Sequence, residues 1–116
     1  PEPVSEPETS PVPADVSGLD CAYALNMTAT AYTTQYQSNT ITASGAVAQV
    51  GIVAVDPDII PLGTRLYITS ADGSWTYGYA VAGDTGVSGY VIDLFFDYYD
   101  TCIEFGVRDV VVYVLN

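Results

Sequence analysis

The sequence predicts an all-β domain, a small closed barrel of six strands with one short helix. Three observations predict it. Apolar and polar residues alternate with a period of two through most of the chain after Cys21. Clusters of Gly, Pro, Asp and Ser recur between the alternating runs. Only the stretch from Asp97 to Gly106 carries a helix start and stop. Closing six strands on themselves removes exposed sheet edges, which an open sheet would have to protect. A length of 116 residues allows one core and no second domain.

Residues 1–20 are rich in Pro, Glu and Ser and read as a disordered linker. They hold too little apolar surface to offset their ordering entropy, and they favour extended polyproline conformations. The barrel is expected over residues 21–116. Leu25, Met27, Ala29 and Ala31 alternate with Asn26, Thr28, Thr30 and Tyr32, a half-buried first strand. Residues 47–55 are apolar enough for a second strand buried on both faces. A third runs over residues 65–69. The turn Ala71-Asp72-Gly73-Ser74 leads into a fourth, where Trp75, Tyr77, Tyr79 and Val81 alternate with Thr76, Gly78 and Ala80. Residues 90–96 form the fifth. Asp97 can cap a helix that ends at Phe105, with Gly106 as its stop, and residues 108–115 close as the sixth strand.

The composition excludes several kinds of chemistry. The net charge is −12, there is no histidine, and the two basic residues are Arg65 and Arg108. A field of that sign repels phosphate backbones and anionic lipid, so neither nucleic-acid nor membrane-surface binding is expected. No run is long and apolar enough to span a membrane. Without histidine, Ser-His-Asp triads, Cys-His dyads and His-rich zinc sites are ruled out. Acid-base chemistry falls to carboxylates, tyrosines or water, and no metal or organic cofactor is expected. Cys21 and Cys102 match no metal or redox spacing. They read as one disulfide, contributing about 4 kcal/mol in the chain-entropy model and implying an oxidising setting, or as two separate buried thiols. The chain begins at Pro1 rather than Met, as a mature or trimmed product would.

Three aspartates stand out. Asp93 sits in the middle of the apolar fifth strand, where a carboxylate must be paired, hydrogen-bonded or held neutral. It is either a structural acceptor or an acid whose raised pKa lets it donate a proton near neutral pH. Asp84 lies nine residues earlier, before a Gly- and Ser-containing return loop that can bring it beside Asp93. Its bland reading is a turn aspartate bonded to its own backbone. Asp56 precedes Pro57 and reads first as turn chemistry. Thr30, Tyr32 and Thr42, with Tyr36 and Tyr99, lie on outward positions or in loops and suit a sugar groove, where rings stack on sugar faces and hydroxyls bond sugar hydroxyls. Tyr67, Tyr77, Tyr79 and Tyr113 read as packing residues, and Arg108 as a cover on the barrel surface.

Taken together, several blocks resemble the three-aspartate (3D) domain family of bacterial cell-wall proteins. They are Met27-Thr28-Ala29-Thr30-Ala31-Tyr32, Thr42-Ala43-Ser44-Gly45, the run from Asp56-Pro57 to Pro61-Leu62-Gly63-Thr64, Ala82-Gly83-Asp84-Thr85-Gly86, and Ile92-Asp93-Leu94-Phe95-Phe96. The resemblance runs from Met27 to Leu115 and implies a double-psi β-barrel. It also implies the chemistry of the A-type lytic transglycosylases, which cleave the β-1,4 bond between N-acetylmuramic acid and N-acetylglucosamine and leave 1,6-anhydromuramic ends. By position, Asp93 would be the acid and base, Asp84 its support, and Asp56 the third acid. Thr85 and Gly86 would shape the floor, and Thr30 would contact the glycan. The sequence departs from the family in its Asp84–Asp93 loop, which is shorter and has no lysine.

The expectation is therefore a secreted, wall-associated peptidoglycan lytic transglycosylase of a Gram-positive bacterium, monomeric, with glycan strands as its partner and wall-binding modules upstream. Its rivals are a non-catalytic wall-glycan-binding module and a two-carboxylate hydrolase.

Overall fold

The computed structural model describes residues 21–35 and 40–116. The linker expected over residues 1–20, and Tyr36, lie outside the described residues. The elements in chain order are β1 (Cys21–Tyr32), β2 (Ile52–Ala54), β3 (Arg65–Ser70), β4 (Thr76–Asp84), β5 (Val91–Phe95), α1 (Tyr99–Phe105) and β6 (Arg108–Leu115). The strands close in the order β1-β5-β2-β4-β3-β6. Two contacts are parallel, β1 with β5 and β2 with β4, and the other four are antiparallel. Parallel neighbours need crossover connections, so the chain passes across the barrel twice, as a double-psi barrel does.

The alternation in the sequence sets the two faces. Leu25, Met27 and Ala29 of β1 pack inward with Val53, Leu66, Ile68, Ala80, Ala82, Ile92, Leu94, Val110 and Val112. The residues between them, Thr30 and Asp93 among them, lie on the outer face. β1 is long enough to serve two neighbours. Its first part pairs with β6 and its last five residues, Thr28 to Tyr32, with β5.

The expectations for the second strand, the helix cap and the cysteines need correction. The second strand is only Ile52–Ala54. Gly51 takes a φ of +100° and the Ile52 N–H bonds to Gln49 O, so the chain turns where a strand was expected to run. Val47 and Val50 are consequently exposed. The helix is capped at Tyr98, not Asp97, with no side-chain cap of its own. Its first N–H, that of Tyr99, donates instead to Gln35 Oε1 at 2.6 Å. The expected stop does hold, since Gly106 has φ +63° and donates to Cys102 O.

The third correction is the disulfide, because Cys21 and Cys102 are both free thiols. Cys21 pairs with Leu115 at one end of β1, whereas α1 ends just before Arg108, which pairs with Ala29. Those two ladder positions are eight residues apart, about 26 Å along a strand. A disulfide needs its two Cα atoms within about 7 Å.

Candidate active site

β2 is short, yet it positions the site. It lies between β5 and β4, and Ala54 is the register partner of Asp93 on one side and Asp84 on the other. Adjacent strands lie about 4.8 Å apart, so the two acids' Cα atoms stand about 10 Å apart across Ala54. A β-bulge makes this possible. Val53 pairs with Ala82, but the next residue, Ala54, pairs with Asp84. Gly83 is the extra residue, and it shifts Asp84 onto Ala54's register. A Cβ on Gly83 would lie 2.7 Å from Ile52 Cγ2 and 3.2 Å from Ser44 Oγ, so any larger residue there forces a neighbouring side chain to shift.

Asp93 is half-buried on the outer face of β5. Thr30, its register partner on β1, donates from Oγ1 to Asp93 Oδ1 at 2.9 Å. Burial pushes the Asp93 carboxyl above its ordinary pKa, the Thr30 hydrogen bond pulls it part of the way back, and the negative charge of Asp84 pushes it up again. This is the profile of a carboxylic acid able to hold and release a proton.

Asp84 is fixed by backbone. The N–H groups of Thr85 and Ala43 donate to its Oδ1 at 2.9 and 3.0 Å. The Ala43 bond brings in the loop containing Thr42 and Ser44, and Ser44 N–H also donates to Gly83 O. Thr42 is buried, and its hydroxyl donates to Ala46 O at 2.8 Å. Its side chain therefore holds the loop that holds Asp84. Thr85 and Gly86 are exposed beside the acid.

Tyr32 completes the group. Its ring meets Phe95 edge-on at 5.4 Å, and its hydroxyl donates to Ile52 O at 3.2 Å. Burial, reinforced by the charges of Asp84 and Asp93, raises its pKa, so the phenol stays neutral. Tyr32 thus stands beside both acids as a neutral phenol.

Asp56 plays a different part. Its Oδ1 accepts from Asp58 N–H at 2.9 Å and its Oδ2 from Gly89 N–H at 2.7 Å. Asp56 thus ties its own turn to the loop joining Asp84 and Asp93. These bonds, the one from Gly89 foremost, hold its pKa below the usual carboxylate range. A depressed pKa contributes stability above the unfolded-state pKa and loses it as pH falls through the folded-state value. Asp56→Asn keeps an acceptor oxygen but removes the charge. It is expected to destabilise the protein at neutral pH and to match wild type once the pH is below the depressed pKa. Denaturant unfolding at both pH values measures this.

Thr30, Tyr32, Asp84 and Asp93 are thus brought together, and Asp56 braces the loop between the acids. Sequence reasoning missed Ala54, Gly83 and the Ala43 N–H. A glycine next to an acid within a strand pattern is a bulge signal, and it could have exposed Gly83.

A family model described as the 3D domain matches residues 51–116, a span that contains Asp56, Asp84 and Asp93. The chain is 34% identical to the cell wall-binding protein YocH of Bacillus subtilis (strain 168), over 94% of this chain and 38% of that protein. It is 37% identical to the putative cell wall shaping protein YabE of the same organism, over 56% of this chain and 15% of that one. It therefore spans well under half the length of either relative. Two structures of MltA from E. coli, described as a lytic transglycosylase in one of them, share its fold. Each has a TM-score of 0.57 and 22% identity, over 68% of this chain and 28% of the other.

Proposed function

The chain belongs to the 3D domain family, and from that premise we propose that it is a peptidoglycan lytic transglycosylase domain in which Asp93 acts first as acid and then as base. The observation that carries this is the half-buried Asp93 carboxyl, held by Thr30 and facing Asp84 across Ala54. The protonated Asp93 donates to the oxygen linking N-acetylmuramic acid to N-acetylglucosamine as the C1–O bond breaks. The resulting carboxylate takes the proton of the muramic 6-hydroxyl, whose oxygen bonds to C1. No water is consumed, and Asp93 ends protonated as it began. An internal nucleophile makes a second catalytic carboxylate unnecessary, whereas ordinary glycosidases need two. Asp84 then serves to raise the proton affinity of Asp93 and to stabilise positive charge developing on the sugar. In this reading residues 1–20 tether a monomeric barrel of residues 21–116 in the cell wall of a Gram-positive bacterium.

The names of the two relatives, which speak of wall binding and wall shaping, favour one alternative, a module that holds wall glycan without cutting it. Mass spectrometry of purified peptidoglycan after incubation separates the readings. Anhydro-ended fragments support the transglycosylase. Fragments heavier by one water indicate hydrolysis with Asp84 and Asp93 as a pair. Sedimentation with the wall and no released fragment supports the binding module.

Thr30→Val gives a finer check. The Thr30 hydrogen bond lowers the Asp93 pKa, so its loss raises it further. The acid must start protonated, and its pKa therefore sets the alkaline limb of the rate–pH profile. That limb is expected to move to higher pH in Thr30→Val, with a lower maximal rate. An unmoved limb assigns the alkaline limb to another group.

A further inference from the structure

Around Tyr77, next to the acid site, the outward face gives way to an aromatic pocket at one mouth of the barrel. The Tyr77 hydroxyl accepts from Gly51 N–H and donates to Phe95 O, so it seals the seam between the two regions. Beyond it lies a pocket of about 330 Å³ with a floor of Trp75, Tyr77, Phe96 and Phe105. The rings are locked to one another. Trp75 meets Phe105 edge-on at 5.1 Å, Tyr77 meets Phe96 edge-on at 5.5 Å, and Phe96 lies 5.2 Å from Phe105. Phe96 is three residues beyond Asp93 on the same run, about 10 Å along it.

We propose that this pocket is a second carbohydrate subsite, distinct from the acid pair, that takes one neutral N-acetylated sugar of the wall glycan. The inference rests on the glycan reading given above and adds where a neighbouring sugar is held. Its size falls within the range of small-ligand pockets. Its layout is that of a sugar, with a rigid apolar floor for a pyranose face and a polar rim, Thr76, Thr101 and Glu104, for hydroxyl and acetamido groups. Its electrostatics argue against an anion. Arg108 is the one cation at the pocket. Its guanidinium lies 5.5 Å over Trp75 and 4.8 Å over Phe105. Its Nε and Nη2 donate to Phe105 O and Glu104 O, so it stiffens the floor rather than reaching for a ligand. Glu104 on the rim and a net charge of −12 add to that bias.

The sequence contains one tryptophan, Trp75, so the pocket carries its own fluorescent reporter. Titrating the full chain with a β-1,4-linked trimer of N-acetylglucosamine is expected to give a saturable change in Trp75 emission. Asp93→Asn should keep that change, and Thr101→Phe, which fills the pocket from the exposed face of α1, should weaken it about tenfold or more. Circular dichroism verifies that Thr101→Phe is folded, and Thr101→Ser, which keeps the rim hydroxyl, is expected to retain binding. No saturable change at millimolar trimer, a change lost in Asp93→Asn, or a change untouched in folded Thr101→Phe each overturns the assignment. Trimer binding without anhydro-ended products leaves the pocket standing while catalysis falls. Products without trimer binding do the reverse.

Discussion

Asp93→Asn is expected to stop release of anhydro-ended fragments, lowering the rate by about 10²–10⁴-fold, the usual contribution of general acid-base catalysis. The same substitution is expected to stabilise the fold at neutral pH. Burial raises the Asp93 pKa, so the folded protein binds its proton more tightly than the unfolded chain does. Stability from that proton is complete below the unfolded-state pKa and is lost as pH rises through the folded-state value. Asparagine carries no charge at any pH and still offers Thr30 an oxygen. The stability advantage of the variant should therefore grow from acid to neutral pH. Initial rates on purified peptidoglycan, with unfolding curves at acid and neutral pH, test both halves. Undiminished release would remove Asp93 from the chemistry. A variant less stable than wild type at neutral pH would make Asp93 a structural acceptor. An inactive variant that gains stability is the pattern of a residue kept for function at a cost to the fold.

Gly83→Ala is expected to lose about 1–3 kcal/mol of stability, the range for forcing an extra carbon into a packed site. Activity should fall with it, because the bulge is what carries Asp84 to its place beside Ala54. The obstruction is specific, since the nearest atom to the new carbon is Ile52 Cγ2, with Ile52 Cδ1 at 3.7 Å. Ile52→Ala in the same chain is therefore expected to recover part of the stability lost to Gly83→Ala, a coupling that a double-mutant cycle reads directly. Purely additive effects would mean that the strain lies elsewhere in the bulge.

Much of this molecule is legible from its sequence because inward and outward faces alternate. β6 spans the expected Arg108–Leu115, β3 runs one residue longer than expected at its end, and β5 is one residue shorter at each end. The same alternation sets Thr30 and Asp93 on the outer face, and a carboxylate amid apolar residues marks itself. What could not be read is pairing between distant segments. No local pattern says that Ala54 neighbours both acids, since that follows from crossovers between parallel strands. The Asp56 turn is visible locally, with Ile59 and Ile60 N–H groups returning to Asp56 O. Its hold on Gly89 is not. The apolar run over residues 47–55 misled because Val47 and Val50 stay at the surface, Val47 in a lone bridge to Ile41. The helix start misled because Gln35, remote in sequence, supplies what Asp97 was expected to supply. Tyr79, expected to pack, is mostly exposed and touches Tyr67 edge-on at 4.8 Å.

The separation of the two acids is written into three hydrogen-bonded strands, and the segment connecting them only has to bridge a gap those strands have already set. On the proposed reading, the spacing that the chemistry needs is set by the strands and not by the length of that segment. That segment borders the site on the same reading, so its length bears on which glycans approach the acids and the strands govern what happens to them.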